Sequence, residues 1–174
     1  MKGKIIMNEK IATLAEQAVG KNREQVNCGG TYEWCASFVS NILTSAGVKG
    51  INTFSCTEMF NMMKSKPLEW SEPDDYPERG DIIFFDWDRI KEEKPLDHVG
   101  IVVEFDHLAK RVYYVNGNGE NRDRVTKQDM SISNPSIAYW LRYVGNDCTR
   151  INEIEKQLAE LKLKIEKIKN ILDN

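Results

Sequence analysis

Apolar residues in the first part of the chain recur at the spacing of amphipathic helices. One predicted helix ends at Gly20, and its apolar face is formed by Ile11, Leu14, Ala15, Ala18 and Val19. A second begins near Trp34 and Cys35, ends before Gly47, and has an apolar face formed by Cys35, Phe38, Val39, Ile42, Leu43 and Ala46. A third, short helix is predicted to start with Thr57 as its N-cap, because Glu58 and several methionines follow.

The pattern changes to that of β-strands after the third predicted helix. The apolar run at 82–85 predicts a strand that is buried on both faces. Further strands are predicted over 98–105, 111–116 and 137–144. The polar residues between the first two of these predict a hairpin loop. Helices followed by antiparallel strands predict an α+β domain over residues 8–146.

The segment 151–174 has no glycine, proline or aromatic residue. Its apolar residues alternate in steps of three and four, which is the heptad a/d pattern: Ile151, Ile154, Leu158, Leu161, Ile165, Ile168 and Leu172. An isolated helix would expose this stripe to water, so residues 151–172 are predicted to join copies of the chain in a homo-oligomer. The alternative is a helix that folds back on the preceding domain. On the favoured prediction of an oligomer, the second unit of the chain is a coiled-coil helix at 150–174.

Composition and charge exclude several classes of protein. Of the 174 residues, 41% are hydrophobic, which is enough for a packed core. The net charge of −3 gives no electrostatic reason to expect a nucleic-acid partner. No apolar run has the length of a transmembrane span or of an export-signal core, so neither a membrane partner nor a classical signal peptide is expected.

Cysteine usage argues against a metal-binding or disulfide-rich scaffold. The four cysteines are Cys28, Cys35, Cys56 and Cys148. They form no Cys-x-x-Cys pair, and the chain has only two histidines, so a structural zinc site is not expected. Their low density argues against a disulfide framework, although a Cys28–Cys56 bridge is left open. No cofactor is expected.

Cys35 and His98 are the residues whose positions suggest chemistry. Cys35 lies at the start of a predicted helix, where backbone N–H groups and the helix dipole favour a thiolate. His98 begins a predicted strand, and a helix start that faces a strand start can hold a nucleophile against its base. The alternative for Cys35 is a small buried apolar residue, which is common for free cysteines.

Three stretches in this order resemble the motifs of the CHAP family, the cysteine/histidine-dependent amidohydrolases and peptidases. They are Trp34-Cys35-Ala36-Ser37-Phe38-Val39, Arg79-Gly80-Asp81-Ile82-Ile83-Phe84-Phe85 and Asp97-His98-Val99-Gly100-Ile101-Val102. The resemblance covers roughly residues 10–145, and the second and third motifs also fit the related NlpC-type peptidases. It implies a papain-like fold with N-terminal helices packed on an antiparallel sheet, Cys35 as nucleophile, His98 as base, and bacterial peptidoglycan as substrate.

Members of this family complete the site with a polar residue after the next strand, often in a Glu-Gly-Asn stretch. Here the stretch runs from Asn116 to Glu120, with Asn116 where Glu often stands and Asn118 where Asn often stands. Asn116 is favoured as the residue that orients His98, and Asn118 as a supporting or substrate contact. The reverse order and a role for Glu120 are the alternatives. An asparagine fixes the imidazole orientation but brings no charge to stabilise an imidazolium.

Two tryptophans and a pair of aspartates are the remaining candidates for contacts with a substrate or a metal ion. Trp34 and Trp87 are expected to line a substrate groove, although most aromatic residues in such a domain belong to the core. Some CHAP domains bind calcium through an acidic loop before the nucleophile. The corresponding stretch at 21–27 lacks a run of aspartates, and Asp86 and Asp88 fit a solvated loop, so no metal site is expected.

The expected function is amide hydrolysis in peptidoglycan by a Cys-His-Asn mechanism, by an N-acetylmuramoyl-L-alanine amidase or a stem or cross-bridge endopeptidase. A wall hydrolase without an export signal resembles a phage or prophage endolysin, which stays in the cytoplasm until it is released to the wall. Non-classical secretion is the alternative. Two other functions stay open: a non-catalytic module that uses the same fold for binding or assembly, and an intracellular thiol amidase or isopeptidase.

Overall fold

The computed structural model describes residues 2–28, 33–87, 96–119 and 123–145, together with 160–162, 164–166 and 168, and gives side chains from Met7 onward. Within residues 2–145, the described part of the chain has three helices followed by six strands. The helices are α1 (Lys2–Ala18), α2 (Cys35–Ala46) and α3 (Cys56–Lys64). The strands are β1 (Trp70–Ser71), β2 (Ile82–Phe85), β3 (His98–Asp106), β4 (Arg111–Asn116), β5 (Thr126–Ser131) and β6 (Ile137–Tyr143). This order confirms the predicted α+β class.

The ends of the first two helices are set by glycines, as the sequence predicts. Gly20 follows α1 with φ of 84°, and Gly47 follows α2 with φ of 107°, a left-handed conformation that costs glycine little. The N–H of Gly47 donates to the carbonyls of Leu43 and Thr44 and so ends α2.

None of the helices in the described part of the chain has the length and apolar character needed to cross a bilayer.

The predicted N-cap of the third helix is wrong. Ser55 is the N-cap of α3, and its side chain accepts a hydrogen bond from the N–H of Glu58. The Thr57 hydroxyl instead accepts a hydrogen bond from the N–H of Leu96, at 2.6 Å. Cys56 is therefore the first residue of α3, and the helix begins two residues earlier than the sequence pattern suggests.

The strands form one antiparallel sheet in the order β1-β6-β2-β3-β4-β5. All four predicted strands are present, and the loop between β3 and β4 is the predicted hairpin. Two strands were not predicted: β1, which has only two residues, and β5, whose residues are nearly all polar. Neither strand has the alternation of apolar and polar residues on which the predictions depended.

The helices pack on one face of the sheet, as in a papain-like domain. Ile82 and Phe84 of β2 join the helices in the larger hydrophobic core, whereas Ile83 and Phe85 join a smaller cluster with Val112 and Tyr114. All four residues of β2 are fully buried, so the prediction of a strand buried on both faces is confirmed. The central position of β2 fixes β3 beside it and places His98 opposite Phe85.

A buried ion pair joins β6 to the turn before β2. The Arg142 guanidinium donates to both carboxylate oxygens of Asp81, at 2.9–3.3 Å, and to the carbonyl of Tyr76. Burial raises the pKa of Asp81 to about 6, although Arg142 opposes the shift. The neighbouring Gly80 has φ of 91° and lies so close to α1 that a Cβ would be 2.3 Å from the carbonyl oxygen of Asn8. The Gly-Asp pair thus links the turn before β2 to both α1 and β6.

The predicted coiled coil lies mostly outside the described residues. The described residues in the segment 160–168 are helical, and Leu161, Ile165 and Ile168 are each about half exposed. The predicted boundaries of the two units, 8–146 and 150–174, and the oligomer stay predictions.

Candidate active site

Cys35 is the first residue of α2 and its side chain is 2% exposed. The N-cap residue, Trp34, supplies no side-chain hydrogen bond to the first turn. The backbone N–H of Ala36 instead interacts with the Cys35 sulfur. The start of α2 therefore places positive helix-terminal groups around a thiol rather than around a capping hydroxyl or carboxylate.

His98 and Asn116 lie on neighbouring strands and contact each other. His98 Nε2 is 3.2 Å from Asn116 Oδ1, and both residues are buried. Gly100 lets β3 and β4 approach closely beside this contact, because a Cβ there would lie 2.9 Å from the Tyr114 ring and 3.2 Å from the carbonyl oxygen of Val115. Since an amide oxygen only accepts, Nε2 carries a proton and Nδ1 is left to interact with the Cys35 thiol.

Gln128 and Gly119, neither of which was predicted as a site residue, fix the orientation of Asn116. The Asn116 amide nitrogen donates to Gln128 Oε1 at 2.7 Å, which turns Oδ1 toward His98. A Cβ on Gly119 would lie 2.2 Å from Asn116 Oδ1, so a larger residue would displace that side chain. Gln128 lies on β5, and no apolar pattern in the sequence marks that strand.

Cys56 is a second thiol beside Cys35, and it was not predicted as a site residue. Its Sγ lies 3.5 Å from that of Cys35. The bridge between Cys28 and Cys56 that the sequence left open is absent, because both are free thiols in the structure. The Cys28 sulfur contacts the Val26 carbonyl and the Asn41 amide instead. Cys56 shares with Cys35 a position at a helix start, but that position alone does not show that the two sulfurs meet.

The two thiols have opposite pKa shifts. A hydrogen bond from the Cys56 thiol is the largest cause that holds the pKa of Cys35 well below its ordinary value. The hydrogen bond and positive charge of His98 act in the same direction, and burial opposes them. The pKa of Cys56 is raised by its hydrogen bond to Cys35, by burial and by nearby negative charge. Cys35 is therefore the thiolate, and Cys56 keeps its proton.

Alkylation tests this assignment. Because the thiolate is the reactive form and the pKa of Cys35 is lowered, iodoacetamide should modify Cys35 at nearly its full rate at pH 6 and lose rate only in more acidic solution. An ordinary thiol would lose rate below about pH 8.5. The measurement is the rate of Cys35 labelling against pH in a Cys28→Ser variant, since residues 24–49 form one tryptic peptide that contains both cysteines. A midpoint near 8.5 would contradict the assignment.

The reactive residues line a cavity of about 1690 Å³. Cys35, Cys56 and His98 form part of its lining, and Phe54 and Trp87 border it as aromatic side chains that are 60% and 45% exposed. Trp87 stacks on Phe85 with ring centroids 5.0 Å apart, so its free face can meet a ligand. Trp34 also borders the cavity but is 1% exposed, which makes it part of the wall rather than an open platform.

The structure describes only some of the other sequence candidates. Asn118 borders the cavity, two residues beyond the end of β4, and its φ of 58° is outside the strand region. Glu120 and Asp88 lie outside the described residues. Asp97 accepts a hydrogen bond from the backbone N–H of Trp87, at 2.7 Å, and so fixes the loop at the cavity rim.

Solved structures with a similar fold include two of Ly7917, one of them described as holding the hydrolyzing product of MDP. Both are 16% identical to this chain, with TM-scores of 0.52 and 0.51. The match covers 79% of this chain and 62% of the Ly7917 chain, so the chain spans less than two thirds of that protein. No curated protein matches the chain. The likeness confirms the papain-like α+β fold.

A family comparison agrees with the motifs and with the site. The family model of the CHAP domain matches residues 27–118, which is more than half of the chain. That range includes Cys35, His98 and Asn116, and it ends at Asn118. On this match, the chain belongs to the CHAP domain family.

Proposed function

We propose that the chain hydrolyses an amide bond of bacterial peptidoglycan, with Cys35 as nucleophile, His98 as base and Asn116 as the residue that orients the imidazole. The observation that carries the proposal is the continuous contact from the Cys35 thiol through His98 to Asn116 Oδ1. This is the order of groups that a thiol hydrolase needs: a nucleophile, a base within reach, and an acceptor that fixes the base.

The proposed reaction uses these groups in sequence. His98 Nδ1 takes the proton of Cys35, and the thiolate attacks the carbonyl carbon of the amide. The N–H groups at the start of α2 stabilise the oxyanion that forms. His98 then donates its proton to the leaving amine, and water hydrolyses the thioester with His98 again as base. Asn116 accepts from Nε2 throughout and prevents the ring from rotating.

The shape of the cavity supports a polymeric substrate. Its volume of about 1690 Å³ exceeds the range of about 300–1,000 Å³ that is usual for small-molecule sites. Its lining includes basic Arg23 and Lys127 as well as acidic Glu33 and Asp123. Wall stem peptides carry both amino and carboxylate groups, and the exposed faces of Phe54 and Trp87 suit contacts with sugar rings. The membership in the CHAP family supports the same substrate class.

Digestion of purified walls tests the substrate and names the bond. Peptidoglycan of several cross-bridge types would be incubated with the protein, and the soluble fragments identified by mass spectrometry. Free stem peptides would establish an amidase, and shortened or uncrosslinked stems would establish an endopeptidase. An absence of fragments from every wall type would reject a wall substrate and favour a binding module or a different amide.

We also propose that residues 151–172 join chains into a homo-oligomer and that the protein acts as an endolysin. An oligomer that contacts the wall through several weak sites gains about two to four orders of magnitude in apparent affinity for the wall. Sedimentation velocity should give a mass that is a multiple of the chain mass, and Leu161→Ser with Ile165→Ser should reduce it to a monomer. Lys162→Ser, on an exposed position of the same helix, should leave the oligomer intact. A monomeric wild-type protein would reject the oligomer.

A further inference from the structure

The proposed mechanism uses one thiol of the active site and leaves the other without a role. Cys56 is 6% exposed, borders the same cavity as Cys35 and has its sulfur 3.5 Å from the nucleophile. Each cysteine is the first residue of its helix, so neither is carried by an unanchored loop. Ser55 and Thr53 fix the start of α3 through hydrogen bonds to Glu58.

We propose that Cys35 and Cys56 form a peroxide-driven, reversible disulfide, with Cys35 as the oxidised thiol and Cys56 as the resolving thiol. A disulfide has an S–S distance of about 2.05 Å, so the sulfurs must approach by about 1.5 Å. Rotation about the Cα–Cβ bonds supplies movement of this size. The ligand class is a hydroperoxide, which is small enough to enter the cavity beside the thiols.

The reaction consumes one hydrogen peroxide and balances in two steps. The Cys35 thiolate attacks one peroxide oxygen, the O–O bond breaks, and the leaving hydroxide takes a proton from the His98 imidazolium to become water. Cys35 is then a sulfenic acid. The Cys56 sulfur attacks the Cys35 sulfur, the S–S bond forms as the S–O bond breaks, and the leaving hydroxide takes the Cys56 proton. Two thiols are oxidised by two electrons, and the peroxide is reduced to two waters.

The surroundings of the two thiols favour this order of events. Cys35 reacts first because it is the thiolate. Its conversion to a neutral sulfenic acid removes the hydrogen bond and the negative charge that hold the proton on Cys56, so the resolving thiol becomes a better nucleophile. Cys28 is not placed to compete, because its sulfur contacts Val26 and Asn41 and it does not border the cavity.

The disulfide would give the enzyme a redox control at its own nucleophile, and this consequence rests on the proposed function. In the oxidised form no thiolate is present to attack an amide. A dithiol reductant would restore it. The bond also protects Cys35 from the sulfinic and sulfonic acids, which thiols do not reduce. Formation of the bond itself does not depend on any hydrolase activity.

The test uses full-length protein with Cys28→Ser and Cys148→Ser, which leaves Cys35 and Cys56 as the two thiols. After a few equivalents of hydrogen peroxide, intact mass spectrometry should show the loss of two hydrogens. A non-reducing tryptic digest should link the peptide of residues 24–49 to that of residues 50–64, and dithiothreitol should separate them. A matched variant that also carries Cys56→Ser should form no link, and dimedone should capture its Cys35 sulfenic acid.

One result would overturn the proposal: accumulation of sulfinic or sulfonic acid on Cys35 at the same rate with and without Cys56, and no linked peptide. Because the readout is mass rather than activity, this outcome differs from a failure of the proposed hydrolase function. A linked peptide in a protein that cleaves no wall would keep the disulfide and reject only its consequence for catalysis.

Discussion

Replacing Cys35 by alanine should reduce the rate of wall hydrolysis by about 10⁴-fold or more, because removal of a catalytic nucleophile leaves only substrate binding and oxyanion stabilisation. The thiolate is the atom that attacks the amide in the proposed mechanism, and neither His98 nor Asn116 can replace it. The measurement is the initial rate at which the turbidity of a purified wall suspension falls. Cys35→Ser should be similarly inactive, since a hydroxyl in this site is a much weaker nucleophile.

The loss of activity should occur without loss of the fold. Alanine removes one buried sulfur from a site whose other members keep their hydrogen bonds, so the melting temperature should change by only about 2–4 °C. Cys28→Ala is the matched control, because Cys28 is a buried free thiol outside the cavity. It should keep nearly full activity. Substantial lysis by pure Cys35→Ala protein would reject Cys35 as the nucleophile.

Replacing Asn116 by alanine should lower kcat by about 10²-fold, which is the effect expected when a reacting group is misplaced by about 1 Å. Without Oδ1 the proton on His98 Nε2 loses its acceptor, and the imidazole is free to turn away from Cys35. Because Asn116 is fully buried and contacts His98 rather than the cavity, KM should change little. Steady-state kinetics on a soluble wall peptide separate the two constants.

Asn118 provides the matched comparison. Asn118→Gly removes the side chain without backbone strain, since glycine tolerates the φ of 58° at this position. We expect a smaller loss than for Asn116→Ala, and a change in KM if Asn118 contacts the substrate. A larger loss of kcat for Asn118→Gly than for Asn116→Ala would reverse the roles of the two asparagines.

Much of the fold could be predicted because its main elements carry periodic apolar patterns. The helix of Cys35 has apolar residues on one face and ends at Gly47, and the strand Ile82–Phe85 is apolar throughout. The strand Thr126–Ser131 has almost no apolar residues, because it is stabilised by pairing with β4 rather than by burial. Local patterns do not record such pairing, so this strand was missed.

The residues of the candidate active site could also be predicted only where a local sequence pattern marks them. Cys35, His98 and Asn116 could be proposed from motifs, since each lies at the end of a recognisable element. Gln128 and Cys56 could not, because their importance comes from contacts with residues that are distant in sequence. Gln128 meets Asn116 only when β5 pairs with β4, and Cys56 meets Cys35 only when α3 packs beside α2. The residues that tune this site are therefore visible only in three dimensions.

The most direct test of the central claim is the chemical identity of the ends that the protein creates in purified peptidoglycan. Primary amines and reducing sugars would be quantified in parallel after digestion by the wild type and by Cys35→Ala. An amide hydrolase that depends on Cys35 predicts new amines with the wild type, background amines with the variant, and no new reducing sugars with either. New reducing sugars, or equal amine release by both proteins, would contradict the account.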